Sequence, residues 1–378
     1  MNTITLLWTL TLATLVLPLR AGAEDAPVDF QKARQIFERK KNGEKITPEE
    51  EAYVKRAMAE RGGKGSNKQT PPPKWTEHLT PLTELGTAKY KGEDGGLYGG
   101  GSNVPPKAHL DAAMKEAAKI RPLDAEGNPS PDGKIGLMSV GMSNTTMEYS
   151  RFKRIADADS SKSPKVIVLD AAQGGQTGLR WADTATPLWK TVDQRMQAAG
   201  LSDKQIQVVW MKQAEAGPAQ HGDFPKHVKF LQDNLVKGLA NLKAKFPNLR
   251  IAYLSSRIYA GYATTGLNPE PYAYEEAFAM RWLIQDQIAG KPELNYDAAH
   301  GAVKSPLLLW GPYLWADGTT PRKADGLIYT QEDLSPKDGT HPSDSGQAKV
   351  ANLLLTFFKT DATAKGWFTG NSSAVGAR

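Results

Sequence analysis

The sequence predicts an α/β protein whose central parallel sheet is covered by helices on both faces. From residue 134 onward, five short apolar runs alternate with longer stretches of helical periodicity. Strands separated by helices form βαβ units, and such units build parallel sheets. The strand candidates are residues 135–140, 166–169, 206–211, 251–254 and 307–310, and the helix candidates are residues 145–158, 188–199, 224–246, 272–288 and 345–358.

The amino terminus carries the features of a signal peptide. Residues 4–17 form an apolar run, and Ala21-Gly22-Ala23 follows as a small-x-small triplet. The run is shorter than the roughly 20 residues that a membrane-spanning helix needs. We therefore expect cleavage after Ala23 and a periplasmic or extracellular protein without a membrane span after cleavage. A buried first helix and an uncleaved anchor are the alternatives.

Five further segments follow the predicted signal peptide of residues 1–23. Asn42-Gly43 ends one helical pattern, and Thr47-Pro48 opens the next, with Glu50 placed for a capping box. Residues 62–73 are rich in Gly, Lys, Ser and Pro, a composition that predicts a linker. The predicted segments are a helical hairpin at 24–61, a linker at 62–73, an irregular Gly-rich lead-in packed on the core at 74–133, the α/β domain at 134–360 and a tail at 361–378.

Composition excludes several kinds of protein. The chain has 40% hydrophobic and 23% charged residues, a net charge of +6 and no cysteine. Disulfides, thiolate metal sites and a cysteine nucleophile are thus excluded. Basic residues are interleaved with acidic ones instead of forming a basic face, so a nucleic-acid partner is not expected. Apart from His221 and His227, six residues apart with Pro225 between them, no histidine has the spacing of a metal site, and we expect no metal and no cofactor.

Polar residues follow the first three predicted strands, where the ligand site of a parallel sheet lies. Ser143 comes after the first strand and before a helix, so it is a candidate nucleophile as well as a possible helix cap. Gly174 or Gly175 follows the second strand, and Gln213 follows the third. Together with the N–H of Ser143, these groups could hold a developing oxyanion.

The segment Asp338-Gly339-Thr340-His341 precedes the last predicted helix. An Asp three residues before a His on a turn can orient the imidazole, and the other ring nitrogen can then accept a proton from a serine. Taken alone, such a pair is often a surface turn. Ser139 is an alternative nucleophile, but it falls inside the first strand and is expected to be buried.

At these positions the chain resembles the SGNH (GDSL-like) hydrolase superfamily over residues 134–359. Gly141-Met142-Ser143 stands at the Gly-Asp-Ser block, and Gly174 or Gly175 at the oxyanion glycine. Gln213-Ala214-Glu215 is similar to the Gln-Gly-Glu block of the carbohydrate O-acetylesterase branch. Asp338-Gly339-Thr340-His341-Pro342 is similar to the final block. In two places the chain departs from the pattern, with Met142 instead of Asp and Ala214 instead of Gly.

The resemblance implies a flavodoxin-like three-layer α/β/α sandwich and a serine esterase. It implies that Ser143 attacks the ester, His341 moves the proton and Asp338 orients His341. The substrate would be a small-molecule or carbohydrate ester, with O-acetyl as the expected acyl group. The two departures permit another reading, a catalytically inactive module that binds carbohydrate or acts as an envelope scaffold.

Four further residues are weaker candidates for substrate binding. Arg257 follows the fourth predicted strand and could contact an anionic group, although arginines at such positions commonly form structural ion pairs. Tyr259, Trp310 and Tyr313 lie near the ends of the fourth and fifth strands, where aromatic faces suit sugar rings. Ordinary loop packing is the alternative for each of them.

Overall fold

The structure, a computed structural model, describes residues 29–41, 44–63 and 75–370. The predicted signal peptide at 1–23 lies outside the described residues, as do linker residues 64–73 and tail residues 371–378. The chain divides into two compact units, Met1–Gln69 and Thr70–Arg378. Within the described ranges, no helix is long and apolar enough to cross a membrane.

In the first unit, two helices are described, α1 (Phe30–Lys41) and α2 (Pro48–Gly63). The N-terminus of α2 is a capping box, because the N–H of Glu50 donates to Thr47 Oγ1 at 3.2 Å and the N–H of Thr47 donates to Glu50 Oε2 at 3.0 Å. The helix extends to Gly63, which lies beyond the hairpin boundary predicted at 61.

The lead-in to the α/β domain contains regular structure that the sequence did not predict. A short antiparallel ribbon pairs β1 (Lys89–Tyr90) with β2 (Glu93–Asp94), and α3 (Lys107–Ala117) follows. The description of 74–133 as irregular is therefore wrong for α3. Only His109 and Ala113 of this helix are buried, so its apolar stripe is too sparse to give a helical pattern in the sequence.

Five parallel strands form the central sheet in the order β4-β3-β5-β6-β7. This order is that of a flavodoxin-like doubly wound sheet. Residues of β3, β5, β6 and β7 are buried throughout, as expected for strands covered on both faces. The strands are β3 (Ile135–Gly141), β4 (Val166–Leu169), β5 (Ile206–Lys212), β6 (Ile251–Leu254) and β7 (Leu307–Trp310), and the predicted strands match them to within one residue.

Two helical layers enclose this sheet and complete a three-layer α/β/α sandwich, which confirms the predicted fold class. One layer joins α4 to α9 and α10, and the other joins α5, α7 and α8. The helices are α4 (Ser143–Ala158), α5 (Gly178–Ala182), α6 (Leu188–Ala198), α7 (Lys226–Lys245), α8 (Tyr272–Ile288), α9 (Asp344–Thr360) and α10 (Lys365–Thr369).

The packed domain extends beyond its predicted end at 360. Helix α10 places Trp367 and Phe368 in the core, where Phe368 stacks on Phe358 with ring centroids 5.4 Å apart. The segment predicted as a tail therefore contributes two aromatic side chains to the core. Their burial stabilises the domain, because it removes a large apolar area from water.

Candidate active site

Ser143 lies where the connections from the sheet diverge. The chain leaves β3 toward β4 at one edge and then crosses to β5 on the other side of β3. In doubly wound sheets, ligands bind beyond the carboxyl ends of the strands at such a point. Helix α4 begins at Ser143, and the preceding Met142 gives the helix no side-chain cap. The N–H of Ser143 is thus one of the helix-terminal donors that no carbonyl within the helix can reach.

Ser143, His341 and Asp338 form a continuous hydrogen-bonded chain. Ser143 Oγ lies 2.7 Å from His341 Nε2, and His341 Nδ1 lies 2.7 Å from Asp338 Oδ2. With a proton on Nδ1, the ring donates to the carboxylate and accepts from the serine hydroxyl. The sequence placed these three residues in one site, and the structure brings them into contact in the order that proton transfer from the serine requires.

The carboxylate of Asp338 is held in its ionised form. Burial opposes ionisation, but the backbone N–H groups of His341 and Thr340 and the imidazole all donate to it, and the net result is a lowered pKa for Asp338. The side chains of Asp338 and His341 remain 24% and 25% exposed. Both side chains are therefore within reach of a molecule entering from solvent.

The loop that carries His341 is fixed at several points. Gly339 has a φ of +61°, and a Cβ at this position would lie 1.9 Å from the carbonyl oxygen of Tyr262, so only glycine fits. Asn144 Nδ2 donates to the carbonyl of Thr340 at 2.9 Å and ties the loop to α4. Ser343 then caps α9 by accepting from Gly346.

The two candidate oxyanion glycines differ in their distance from the nucleophile. A Cβ built at Gly174 would lie 3.9 Å from the Cβ of Ser143, whereas one built at Gly175 meets nothing within 4 Å. Among the described residues, no hydrogen bond uses the N–H of Gly174 or of Gly175, so only the distance separates them. Gly174 is therefore the better placed of the two to share an oxyanion with Ser143.

Gln213 is buried at the end of β5, and its amide already makes two contacts. The side-chain Nε2 donates to the carbonyl of Gln176 at 3.2 Å, and Oε1 accepts from the N–H of Ala214 at 3.0 Å. One amide hydrogen remains for an oxyanion. The observed contacts hold the loop that carries Gly174, a role that the sequence did not suggest.

Ser139, the alternative nucleophile, is fully buried. Its hydroxyl donates to Asp170 Oδ1 at 2.6 Å and accepts from the N–H groups of Ala171 and Ala172 at 3.0 and 3.1 Å. All of its hydrogen-bonding capacity braces the start of the loop after β4. The structure therefore gives Ser139 a structural position beneath the site.

Arg257 is not placed to contact a substrate, which corrects the weak assignment from the sequence. Its side chain is 3% exposed, and burial lowers its pKa while Glu276, Glu148 and other carboxylates oppose that effect. Among the described residues, its Nε and Nη2 atoms have no hydrogen-bond partner. Arg257 is an internal cation behind the site, and a ligand would have to open the core to touch it.

The three aromatic candidates are core residues, so their assignment to a sugar-binding rim is also wrong. Tyr259, Trp310 and Tyr313 are each 5% exposed. Trp310 Nε1 donates to the carbonyl of Leu97 at 2.6 Å, and the hydroxyl of Tyr313 accepts from the N–H of Leu82 at 3.1 Å. The lead-in segment therefore contacts Trp310 and Tyr313, and the polar atoms of these two rings fasten that segment to the domain.

A fully buried ion pair lies beneath the nucleophile and was not found from the sequence. Lys212 at the end of β5 donates to both carboxylate oxygens of Glu148 on α4. Burial lowers the pKa of Lys212 to about 8 and raises that of Glu148, while their contact favours the charged forms. The pair fixes α4 against β5 close to Ser143.

Metal ligation has no candidate in the part of the chain that the structure describes. Within residues 29–41, 44–63 and 75–370, no group of three or more His, Asp or Glu side chains is arranged to hold a metal ion. His227 instead lies 2.6 Å from Glu275 Oε2, and His109 lies 2.8 Å from the carbonyl of Leu308. Both histidines are buried and hold neighbouring segments together.

Comparison with known proteins adds distant likenesses only. No protein-family model and no curated protein matches the chain. Among solved structures, it is similar to a lipase from a goat rumen metagenome (14% identity, 61% of this chain, 100% of that chain, TM-score 0.35). It is also similar to an α/β hydrolase enzyme from the metagenome of Lake Arreo, Spain (15%, 61%, 95%, 0.32), and to a gut microbial diltiazem-metabolizing enzyme (14%, 62%, 47%, 0.32).

Proposed function

We propose that the chain is a serine ester hydrolase of the SGNH type that removes O-acyl groups, with O-acetyl groups on carbohydrate as the expected substrates. The observation that carries the proposal is the hydrogen-bonded chain from Ser143 through His341 to Asp338, at 2.7 Å for each contact. A serine activated in this way attacks ester carbonyls, because the imidazole takes its proton as the new bond forms. The resemblance of four sequence blocks supports the family and the carbohydrate acetyl ester.

The proposed reaction has two halves. Ser143 Oγ attacks the carbonyl carbon, His341 takes the hydroxyl proton and passes it to the leaving alkoxide, and an acyl-serine remains. Water then attacks the acyl-serine, and His341 takes the water's proton. As the acyl bond to Ser143 breaks, His341 returns that proton to Ser143 Oγ and the carboxylic acid is released. In both halves the carbonyl oxygen carries negative charge, which the N–H groups of Ser143 and Gly174 would share in this proposal.

Two assays test this function. Purified protein should hydrolyse an aryl acetate, and a fluorophosphonate probe should label it at Ser143, as identified by mass spectrometry of the labelled peptide. Ser143→Ala should lose the label and lower kcat by about a thousandfold or more. A folded wild-type protein that neither hydrolyses nor labels would overturn the proposal and favour the non-catalytic carbohydrate-binding or envelope scaffold module, which the Met142 and Ala214 departures permit.

Substrate and location are tested separately. Acetylated oligosaccharides should be better substrates than lipid-like esters of longer acyl chains, as measured by kcat/KM. We also propose that the protein is exported to the periplasm or beyond, with cleavage after Ala23. Mass spectrometry of protein from cell fractions should find a mature chain that begins at Glu24.

A further inference from the structure

The loop between β4 and α5 carries Gly174, and the segment after β5 holds that loop in place. Gln213 Nε2 donates to the carbonyl of Gln176, and the N–H of Gly178 donates to the carbonyl of Ala214 at 3.2 Å. The next residue, Glu215, is 3% exposed and makes the strongest of these contacts. Its Oε1 atom accepts from the N–H of Leu179 at 2.8 Å.

The carboxylate of Glu215 has a further partner on α7, because Asn234 Nδ2 donates to Oε1 at 3.1 Å. Burial raises the pKa of Glu215, and the neighbouring Thr177, Asn234 and Leu179 favour its charged form. Charged hydrogen bonds of this kind are stronger than neutral ones, and their number fixes the orientation of the carboxylate. Thr177 and Leu179 lie at the end of the Gly174 loop, so Glu215 joins that end of the loop to the domain.

Gly178 leaves space for the contact between the Glu215 carboxylate and the loop. A Cβ at Gly178 would lie 2.7 Å from Glu215 Oε1, which is closer than a real Cβ approaches an oxygen. Glycine at position 178 therefore allows the carboxylate to lie directly against the backbone of the loop.

The backbone of Glu215 is itself anchored to α8. Its N–H donates to Glu276 Oε1 at 3.1 Å, and its carbonyl accepts from Asn268 Nδ2 at 3.1 Å. Asn268 Nδ2 also donates to Glu276 Oε2 at 2.9 Å. Glu215 is thus fixed at both its main chain and its side chain, and all of these groups are buried.

We infer that Glu215 is a positioning residue for the oxyanion site, and that its carboxylate sets the distance between the N–H of Gly174 and Ser143. The inference rests on the proposed ester hydrolysis and deepens it. An oxyanion donor acts only when it is already aimed at the oxygen that gains charge, and a displacement of about 1 Å can lower the rate roughly a hundredfold. Glu215 would act through the loop and would touch neither substrate nor nucleophile.

Two substitutions at position 215 separate this role from a merely structural one. In Glu215→Gln the amide oxygen can still accept from Leu179 and Asn234, both of which contact Oε1, but these bonds lose their charge, so partial function remains. In Glu215→Ala the loop loses the contact. We expect kcat for an aryl acetate to fall about tenfold in the first variant and about a hundredfold in the second, with KM changed less than about threefold.

The decisive readout is affinity for a boronic acid that mimics the tetrahedral intermediate. Its Kd should rise in proportion to the loss of kcat/KM in each variant, because both depend on the same oxyanion donors. The matched control is Glu275→Gln, an equally buried carboxylate on α8 that contacts Tyr90, Lys91 and His227 away from the site. It should lower the unfolding temperature and leave kcat unchanged.

The outcomes distinguish the inference from the proposed function. If wild-type protein hydrolyses the ester and both position-215 variants keep wild-type kcat while folded, the inference is wrong and the esterase proposal stands. If kcat falls but boronate affinity does not, the loop is not aimed by Glu215, and the inference is again wrong. Wild-type protein that hydrolyses no ester overturns the esterase proposal, and the inference then fails with it. Should Glu215→Ala not fold, Glu215→Gln decides.

Discussion

His341 Nε2 lies 2.7 Å from Ser143 Oγ, although 198 residues separate the two along the chain. The sheet order makes this contact possible, because Ser143 begins the helix after β3 while His341 precedes α9, and these two helices pack on the same face. The packing of α4 against α9 therefore brings the two ends of the domain together. Whether His341 can take the proton of Ser143 depends on Asp338, the third member of the triad.

Replacing Asp338 by Asn should lower kcat by about a thousandfold or more while KM changes little. The amide oxygen can still accept from the backbone of Thr340 and His341, so the turn persists. The amide nitrogen would then face His341 Nδ1 and favour the tautomer that carries its proton on Nε2, which cannot accept from Ser143. Steady-state kinetics with an aryl acetate measures the effect.

The control for this substitution is Asp344→Asn, an exposed carboxylate at the start of α9 three residues beyond His341. It removes the same charge from the neighbouring surface and should keep wild-type kcat. Equal losses in both variants would show that net charge, rather than the tautomer of His341, determines the rate.

Ser139→Ala should lower the stability of the protein without removing the reactivity of Ser143. The substitution leaves the buried N–H groups of Ala171 and Ala172 without their acceptor and should cost about 1–3 kcal/mol of unfolding free energy. Fluorophosphonate labelling at Ser143 should persist in the folded variant. Denaturant titration gives the stability, and loss of the label from protein shown to be folded would contradict the assignment of Ser139.

Much of the fold could be predicted because its signals are local. Each strand of the main sheet is a mostly apolar run, and the long helices carry regular apolar spacing. The serine and the Asp-x-x-His turn could be found for the same reason, since they stand directly beside these elements. The five residues of α5 are too few to show a period, and no local pattern predicts that helix.

The errors come from contacts between distant segments. Trp310 looks like a rim residue in the sequence because it ends a strand, but its indole nitrogen donates to Leu97, which is 213 residues away. No window of the sequence shows that the lead-in covers this strand end. The role of Gln213 in holding Gln176 was missed for a related reason, because which groups a buried amide contacts depends on how neighbouring loops pack.

Substitutions at Gly174 and Gly175 should have opposite effects on rate and stability. A methyl group at position 174 fits at 3.9 Å from the Cβ of Ser143, but it occupies space beside the nucleophile and should slow fluorophosphonate labelling about tenfold or more. A methyl group at position 175 meets nothing, yet φ there is +74°, so Gly175→Ala should cost about 1 kcal/mol of stability and label normally. The reverse pattern would assign the oxyanion donor to Gly175.

Two neighbouring glutamates on α8 should give the protein opposite pH dependences of stability. Burial raises the pKa of Glu276 to about 8, against the opposing effects of Arg257 and of donors from Glu215 and Asn268. Burial also acts on Glu275, but His227, Lys91 and Tyr90 donate to it and the net result is a lowered pKa. Both side chains are 1% exposed, but burial outweighs the partners of Glu276, whereas the partners of Glu275 together outweigh burial.

A group with a raised pKa binds its proton more tightly when folded, so the stability it adds is complete below the unfolded pKa and disappears as pH rises through the folded value. For Glu276 that window runs from its ordinary value of 4.5 to about 8. Glu275 behaves in the opposite way, because its contribution is present above 4.5 and is lost as pH falls through its lower folded pKa. Stability should therefore decline toward both acid and alkali.

Unfolding free energies measured from about pH 3 to pH 9 for wild type, Glu276→Gln and Glu275→Gln test this pair. Glu276→Gln should flatten the alkaline side of the profile and leave the acid side unchanged, since a neutral amide replaces a group that must otherwise lose its proton inside the core. Glu275→Gln should flatten only the acid side. Profiles that shift in parallel, with neither side flattened, would show that other groups set the pH dependence.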